Sequence, residues 1–90
     1  MKSRLDFQIL LYPAIPKDAR VNKDMPPTFL CAAHDDRPSI SEGLAEYYIA
    51  VKRAGVPVES HVLPNLGHSI DNRGIRLAGE FLRKVAAQKA

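Results

Sequence analysis

Apolar and polar positions alternate in blocks along this chain, and prolines mark most of the boundaries. The first block, Leu5-Asp6-Phe7-Gln8-Ile9-Leu10-Leu11-Tyr12, begins with alternation, becomes solidly hydrophobic and stops at Pro13, the pattern of a β-strand. Residues 13–27 hold Pro13, Pro16, Pro26 and Pro27 and show little periodicity. They predict an irregular connection, of a length that is often functional. Next comes Thr28-Phe29-Leu30-Cys31-Ala32-Ala33, after which polarity flips at once to His34-Asp35-Asp36. A short, largely apolar run between breakers predicts a strand buried on both faces, as in a parallel sheet.

Helical spacing follows. Ser39-Ile40-Ser41-Glu42 has the form of a capping box, and Ile40, Leu44, Tyr47, Tyr48 and Val51 fall on one helix face,. The two tyrosines read as core and surface cover. Gly55 supplies a left-handed C-terminal cap and Pro57 blocks continuation,. Val56–Leu63, rich in β-branched residues and closed by Pro64, predicts a third strand,. Asn65–Asn72 is a run of turn formers,. A last helix is predicted from about Arg73 to Ala87, with Ile75, Ala78, Phe81, Leu82 and Val85 inward,.

The order strand, strand, helix, strand, helix defines an α/β class with three mostly parallel strands and two helices. Thr28–Leu63 is one βαβ unit, whose crossover is expected to be right-handed and whose strands are expected to be parallel. Asp35, Asp36 and His68 therefore all follow carboxyl ends of parallel strands and emerge on one sheet edge, where open α/β sheets place their ligands,. A carboxylate beside an imidazole accepts the Nδ1 proton, fixes the tautomer and stabilises the imidazolium formed when Nε2 takes a proton from a nucleophile. The plainer alternative is that Asp35 and Asp36 cap the following helix, since aspartate is a favoured N-cap. His34, His61 and Cys31 could suggest a metal site with either acid, but Cys31 and His61 are mid-strand and no tight ligand pair is present, so neither metal nor cofactor is expected,.

Composition narrows the class without changing it. Ninety residues allow one domain with a modest core, and 46% hydrophobic with 26% charged residues is ordinary for a globular protein,. The net charge of +3 comes from scattered bases without interleaved aromatics, which argues against a nucleic-acid partner,. A single cysteine permits no internal disulfide and suits an intracellular thiol,. With no apolar run of signal-peptide or membrane-span length, the expectation is a cytoplasmic protein without membrane contact,.

The motifs also carry a resemblance. Pro-Pro-Thr-Phe-Leu-x-x-Ala-x-Asp-Asp at 26–36, the helix end Lys-Arg-Ala-Gly-Val-Pro-Val-Glu at 52–59 and Gly67-His68 resemble the C-terminal part of an α/β-hydrolase. The branch most similar contains xylan acetyl esterases, dienelactone-hydrolase-like proteins and prolyl-oligopeptidase-type peptidases. The likeness covers about residues 5–85, so residues 1–90 read as a single partial domain. It implies that Asp36 is the triad acid and His68 the general base, with Asp35 as the alternative acid. The Gly-x-Ser-x-Gly nucleophile elbow and the oxyanion-hole loop of such enzymes are missing from the sequence,. None of Ser3, Ser39, Ser41, Ser60 and Ser69 falls on an elbow, and the family's frequent Gly-His-Gly-Phe is here Gly67-His68-Ser69-Ile70.

Two functions of different class follow. One is a fragment of a serine ester hydrolase, of carboxylesterase or acetyl esterase type, inactive alone and acting on a small-molecule ester once an N-terminal part completes it. The other is a non-catalytic α/β folding or association module. In both, an apolar strand edge left without neighbours favours self-association or binding of a complementary fragment.

Overall fold

The structure, a computed structural model, describes residues 6–16, 19–65, 68 and 71–89. Three strands, β1 (Gln8–Leu11), β2 (Thr28–Ala33) and β3 (Val58–Leu63), and two helices, α1 (Pro38–Arg53) and α2 (Asn72–Lys89), follow in the predicted order. The sheet runs β1-β2-β3 and both pairings are parallel, with Leu11 opposite Cys31 and Cys31 opposite His61. Every residue of β2 is buried, as its unbroken apolar run requires of a central strand flanked on both faces.

Successive side chains of a strand point to opposite faces, and β2 distributes its residues between two layers in this way. Phe29 and Cys31 pack with Phe81 and Val85 of α2, supported by Ile9, Leu63, Leu77 and Ala78. Leu30 and Ala32 pack with Ile40 and Leu44 of α1, supported by Leu10, Tyr12, Tyr47, Tyr48 and Val58. The result is a helix–sheet–helix sandwich in which the carboxyl edge of β2 lies between the two helices. At the opposite edge the buried Thr28 hydroxyl donates to the Pro26 carbonyl at 2.9 Å.

Several boundaries differ from the sequence reading. β1 is shorter than Leu5–Tyr12: Asp6 and Phe7 precede the ladder, Leu5 lies outside the described residues, and Tyr12 turns out of the strand with φ 38°. β3 begins at Val58 because Pro57 has no N–H to give, although its carbonyl still accepts the Thr28 N–H at 2.9 Å,. The capping box does not form. α1 starts at Pro38 with Arg37 as its cap residue and no side-chain cap bond. A proline preset for the first helical position has moved the start upstream, so Ser39 lies inside the first turn. The end of α1 is as predicted: Gly55 has φ 82°, its N–H reaches the Lys52 carbonyl at 3.0 Å, and Val56 N–H reaches Val51 at 3.3 Å, the paired bonds of a Schellman cap.

The inward face of α2 is also corrected. Gly74, Phe81 and Val85 are buried, but Ile75 is 60% exposed and Leu82 38%. Ile75 and Leu82, seven residues apart, form a second apolar stripe beside the buried one. No helix among the described residues is long and apolar enough to cross a membrane.

Candidate active site

The site is made where β2 stops. His34 N–H still bonds the Leu63 carbonyl at 2.8 Å, extending the β2–β3 ladder by one step, and Asp36 N–H then folds back to the Ala33 carbonyl at 3.2 Å. That four-residue turn leaves His34 and Asp35 exposed and tucks Asp36 in, its side chain only 3% exposed. Asp36 Oδ1 accepts the Arg37 backbone N–H at 2.7 Å. Asp36 Oδ2 accepts from His68 Nδ1 at 2.8 Å. Of the two candidate acids, Asp36 is the one the structure brings to His68, while Asp35 faces solvent. Nor does Asp36 cap α1, since its carboxylate serves the residue before the helix and the imidazole.

The electrostatics follow from these bonds. The hydrogen bond from His68 is the largest influence on the Asp36 carboxyl and lowers its pKa. Burial opposes this, and the Arg37 N–H and the nearby positive charge reinforce it. A buried carboxylate holding two donors in fixed directions stays ionised and orients the imidazole through Nδ1. The ring itself remains 57% exposed, so the far nitrogen is open to chemistry.

His68 lies in the segment joining β3 to α2, and the ends of that segment are tied together. Asp71 Oδ1 accepts the Arg73 N–H at 2.9 Å, a helix N-cap bond for α2,. The Arg73 side chain donates from Nε to Asp71 Oδ2 at 2.9 Å and from Nη2 to the Pro64 carbonyl at 3.1 Å. One guanidinium thus clips the end of β3 to the start of α2. Gly67, Ser69 and Ile70, which flank His68 in the sequence motif, lie outside the described residues, as does Ser3.

A depression of about 330 Å³ opens beside the imidazole, lined by Leu11, Tyr12, Ala14, Arg37, Ile40 and His68. Tyr12 and His68 meet edge to face, with ring centroids 4.3 Å apart and an interplanar angle of 68°. The sequence pattern places Tyr12 at the end of the first strand and gives Arg37 no role. No local signal marks Tyr12: the restriction on a residue before proline favours extended backbone, whereas Tyr12 has φ 38°. A larger hollow of about 420 Å³ between the 15–21 stretch and α1, touching Ile15, Val21, Glu42 and Tyr47, includes neither Asp36 nor His68.

The remaining candidates stay apart from this edge. His61 bonds Glu59 at 2.7 Å and its ring stacks obliquely on Phe29 at 5.4 Å, while Glu59 also accepts from Lys84 Nζ at 3.0 Å. The Cys31 thiol is buried, and burial raises its pKa, with the Asp71 charge adding to the effect. Among the described residues no group of three His, Cys, Asp or Glu side chains gathers as a metal site would need. Ser39 and Ser41 lie in α1 and Ser60 in β3, so none of the described serines stands on a strand-to-helix elbow.

No protein-family model and no curated relative matches the chain. Solved structures do. The chain is 27% identical to Arabidopsis thaliana SOBER1 over 79% of its own length and 32% of that chain, with a TM-score of 0.60. With a single-residue variant of SOBER1 it shares 28% identity over 68% of its own length and 29% of that chain, with a TM-score of 0.59. These neighbours are of α/β-hydrolase type, and the three parallel strands and two helices described above match part of that architecture. The chain spans about a third of the length of the neighbours it resembles.

Proposed function

We propose that this chain is the acid-and-base part of a serine-dependent ester hydrolase, of carboxylesterase or acetyl esterase type. Asp36 is the acid, His68 the general base, and a serine outside residues 1–90 the nucleophile. The observation that carries this reading is the 2.8 Å hydrogen bond between Asp36 Oδ2 and His68 Nδ1 at the carboxyl edge of a parallel sheet. In this arrangement Nδ1–H is held by the buried carboxylate, and the opposite nitrogen takes the serine proton as the hydroxyl oxygen attacks the acyl carbon. It then returns that proton to the departing alkoxide, and a water repeats the cycle on the acyl-enzyme. The depression lined by Leu11, Tyr12 and Ile40 supplies an apolar wall beside the imidazole. The similarity of residues 26–36 and 52–59 to the xylan acetyl esterase and dienelactone-hydrolase-like branch supports esters as the substrate class.

The test needs the missing nucleophile. DNA upstream of this reading frame is inspected for an in-frame Gly-x-Ser-x-Gly, and the polypeptide uniting that segment with residues 1–90 is assayed on p-nitrophenyl acetate. Hydrolysis that disappears in His68→Ala is the expected result. A united polypeptide whose turnover is indifferent to His68 overturns the assignment. Residues 1–90 alone are expected to show no hydrolysis above background, because general acid–base help of ~10²–10⁴-fold has no activated nucleophile to serve.

A further inference from the structure

Among the described residues that line the depression beside His68, Tyr12 has a backbone that departs from the ordinary. Its φ of 38° lies in the left-handed region, which is uncommon for a non-glycine residue and disfavoured for a bulky one. Asn65 is the other described non-glycine residue with positive φ, and asparagine tolerates that region through its short polar side chain. Tyr12 has no such excuse. Strain of this kind persists only where surrounding structure over-determines it, and it concentrates at functional sites.

Three contacts hold Tyr12 in place. Its N–H donates to the Cys31 carbonyl at 2.6 Å, one step beyond the last β1–β2 register pair, Leu11 with Cys31. Its side chain packs against the buried Leu30, Ala32, Ile40 and Leu44 cluster between β2 and α1. Its ring meets the His68 ring at 4.3 Å, edge to face. A residue continuing β1 with extended backbone would carry the strand onward. The left-handed turn instead brings the aromatic ring to the sheet edge, beside the imidazole.

We propose that Tyr12 is a positioning residue for His68: its ring is a fixed wall that keeps the imidazole in the rotamer bonded to Asp36. Among the described residues Asp36 fixes one nitrogen of His68, and one hydrogen bond by itself leaves a ring free to swing about it. The Tyr12 ring removes that freedom from one side, and an edge-to-face aromatic pair is among the favoured geometries for such a contact. The hydroxyl is not required, so the ring alone carries the role. The importance of this positioning for turnover rests on His68 being the general base, but the positioning itself is measurable without turnover.

The experiment uses the 90-residue chain, with ¹⁵N and ¹H NMR of the His68 ring at a pH where it is neutral. In the unsubstituted chain, cross-peaks between Tyr12 and His68 ring protons and a dominant Nδ1–H tautomer are expected. Tyr12→Phe retains both. Tyr12→Leu keeps apolar bulk but lowers the Asp36-bonded population by about 2- to 10-fold, the size expected of one aromatic pair. Absence of the ring cross-peaks in the unsubstituted chain overturns the proposal even where Tyr12→Leu does not fold. So does a Tyr12→Leu chain that folds with an unchanged tautomer population, or a Tyr12→Phe chain that loses it. Should the tautomer respond to Tyr12 while the united polypeptide turns over without His68, the positioning stands and the catalytic reading alone falls.

Discussion

Asp36 and His68 are 32 residues apart in sequence, yet their side chains meet at 2.8 Å because β2 and β3 are parallel neighbours whose carboxyl ends share one edge. The carboxylate is buried and the imidazole is more than half exposed. Such a pair is asymmetric: the acid is confined to orienting, and the base is left accessible.

Asp36→Asn keeps the size of the side chain but removes an acceptor that can only accept. In the isolated chain the His68 tautomer is expected to shift away from Nδ1–H, read from ¹⁵N ring shifts. In a united, serine-bearing polypeptide kcat is expected to fall by about 10⁴-fold, the scale of tautomer loss in a Ser-His-Asp site. An Asp36→Asn enzyme as fast as the unsubstituted one refutes the role of the acid.

Acid should destabilise the chain through the same carboxylate. The His68 hydrogen bond, more than any other influence, holds the Asp36 pKa below the ordinary carboxylate value. At Glu59 and Asp71 burial opposes ionisation, but the donors around them prevail, and both are lowered too. A folded-state pKa below the unfolded one gives stability that is fully present above the unfolded value and lost as pH falls through the folded value. Urea midpoints are therefore expected to be flat at neutral pH and to drop below about pH 4, where unfolded carboxyls protonate. Asp36→Asn should flatten part of that acid limb. A slope identical in the two proteins counts against the Asp36 contribution.

Much of this architecture was readable because single residues carried unambiguous physical meaning. The β2 run between Pro27 and His34 has too few polar groups to face water on either side, and it is buried throughout. Gly55 and Pro57 mark a helix end that the backbone reproduces. Elsewhere two local signals competed. Ser39 with Glu42 suggested one helix start, and Pro38 imposed another. On α2, Ile75 and Leu82 satisfy the helical period as well as Leu77 and Phe81 do, and only the position of the sheet decides which stripe is covered. Tyr12 escaped because its conformation is set by the edge of β2 and by His68, both distant in sequence.

That correction on α2 is itself testable. Phe81 is 5% exposed and packs on Phe29 with ring centroids 5.5 Å apart, whereas Leu82 is 38% exposed. Phe81→Ala should cost about 3–5 kcal/mol, enough to unfold a small domain of marginal stability. Leu82→Ser should change stability by no more than about 0.5 kcal/mol, as surface substitutions usually do. Chemical denaturation of the two variants decides, and equal losses would restore the face expected from sequence.

Around the His68 segment, cap and clip should separate in magnitude. Asp71→Ala removes both the α2 N-cap bond and the partner of Arg73, with a cost of about 0.5–2 kcal/mol. Arg73→Ala removes only exposed contacts to Asp71 and Pro64, and a surface ion pair contributes about 0–1 kcal/mol. The order Asp71→Ala more damaging than Arg73→Ala is expected in thermal melts, and the reverse order would show that the Pro64 contact matters more than the cap.

The last expectation concerns association, and it begins at the outer edge of β1. The described sheet ends there, with a row of backbone donors and acceptors facing away from β2. Nearby Phe7 is 41% exposed and Leu11 37% exposed, and Val62 on β3 is 46% exposed. The described strand Gln-Ile-Leu-Leu is short but carries neither charge nor proline, two of the devices that discourage strand addition. In α/β-hydrolase-type neighbours about three times as long, there is ample chain to cover such an edge. We expect residues 1–90 to dimerise, to bind a complementary hydrolase segment or to aggregate, and Phe7→Lys to weaken that tendency by placing a charge beside the edge. Size-exclusion chromatography at tens of micromolar, an order-of-magnitude working range, reads the outcome. A cooperative monomer for the unsubstituted chain, or a Phe7→Lys chain that associates equally well, would place the exposed edge outside any interface.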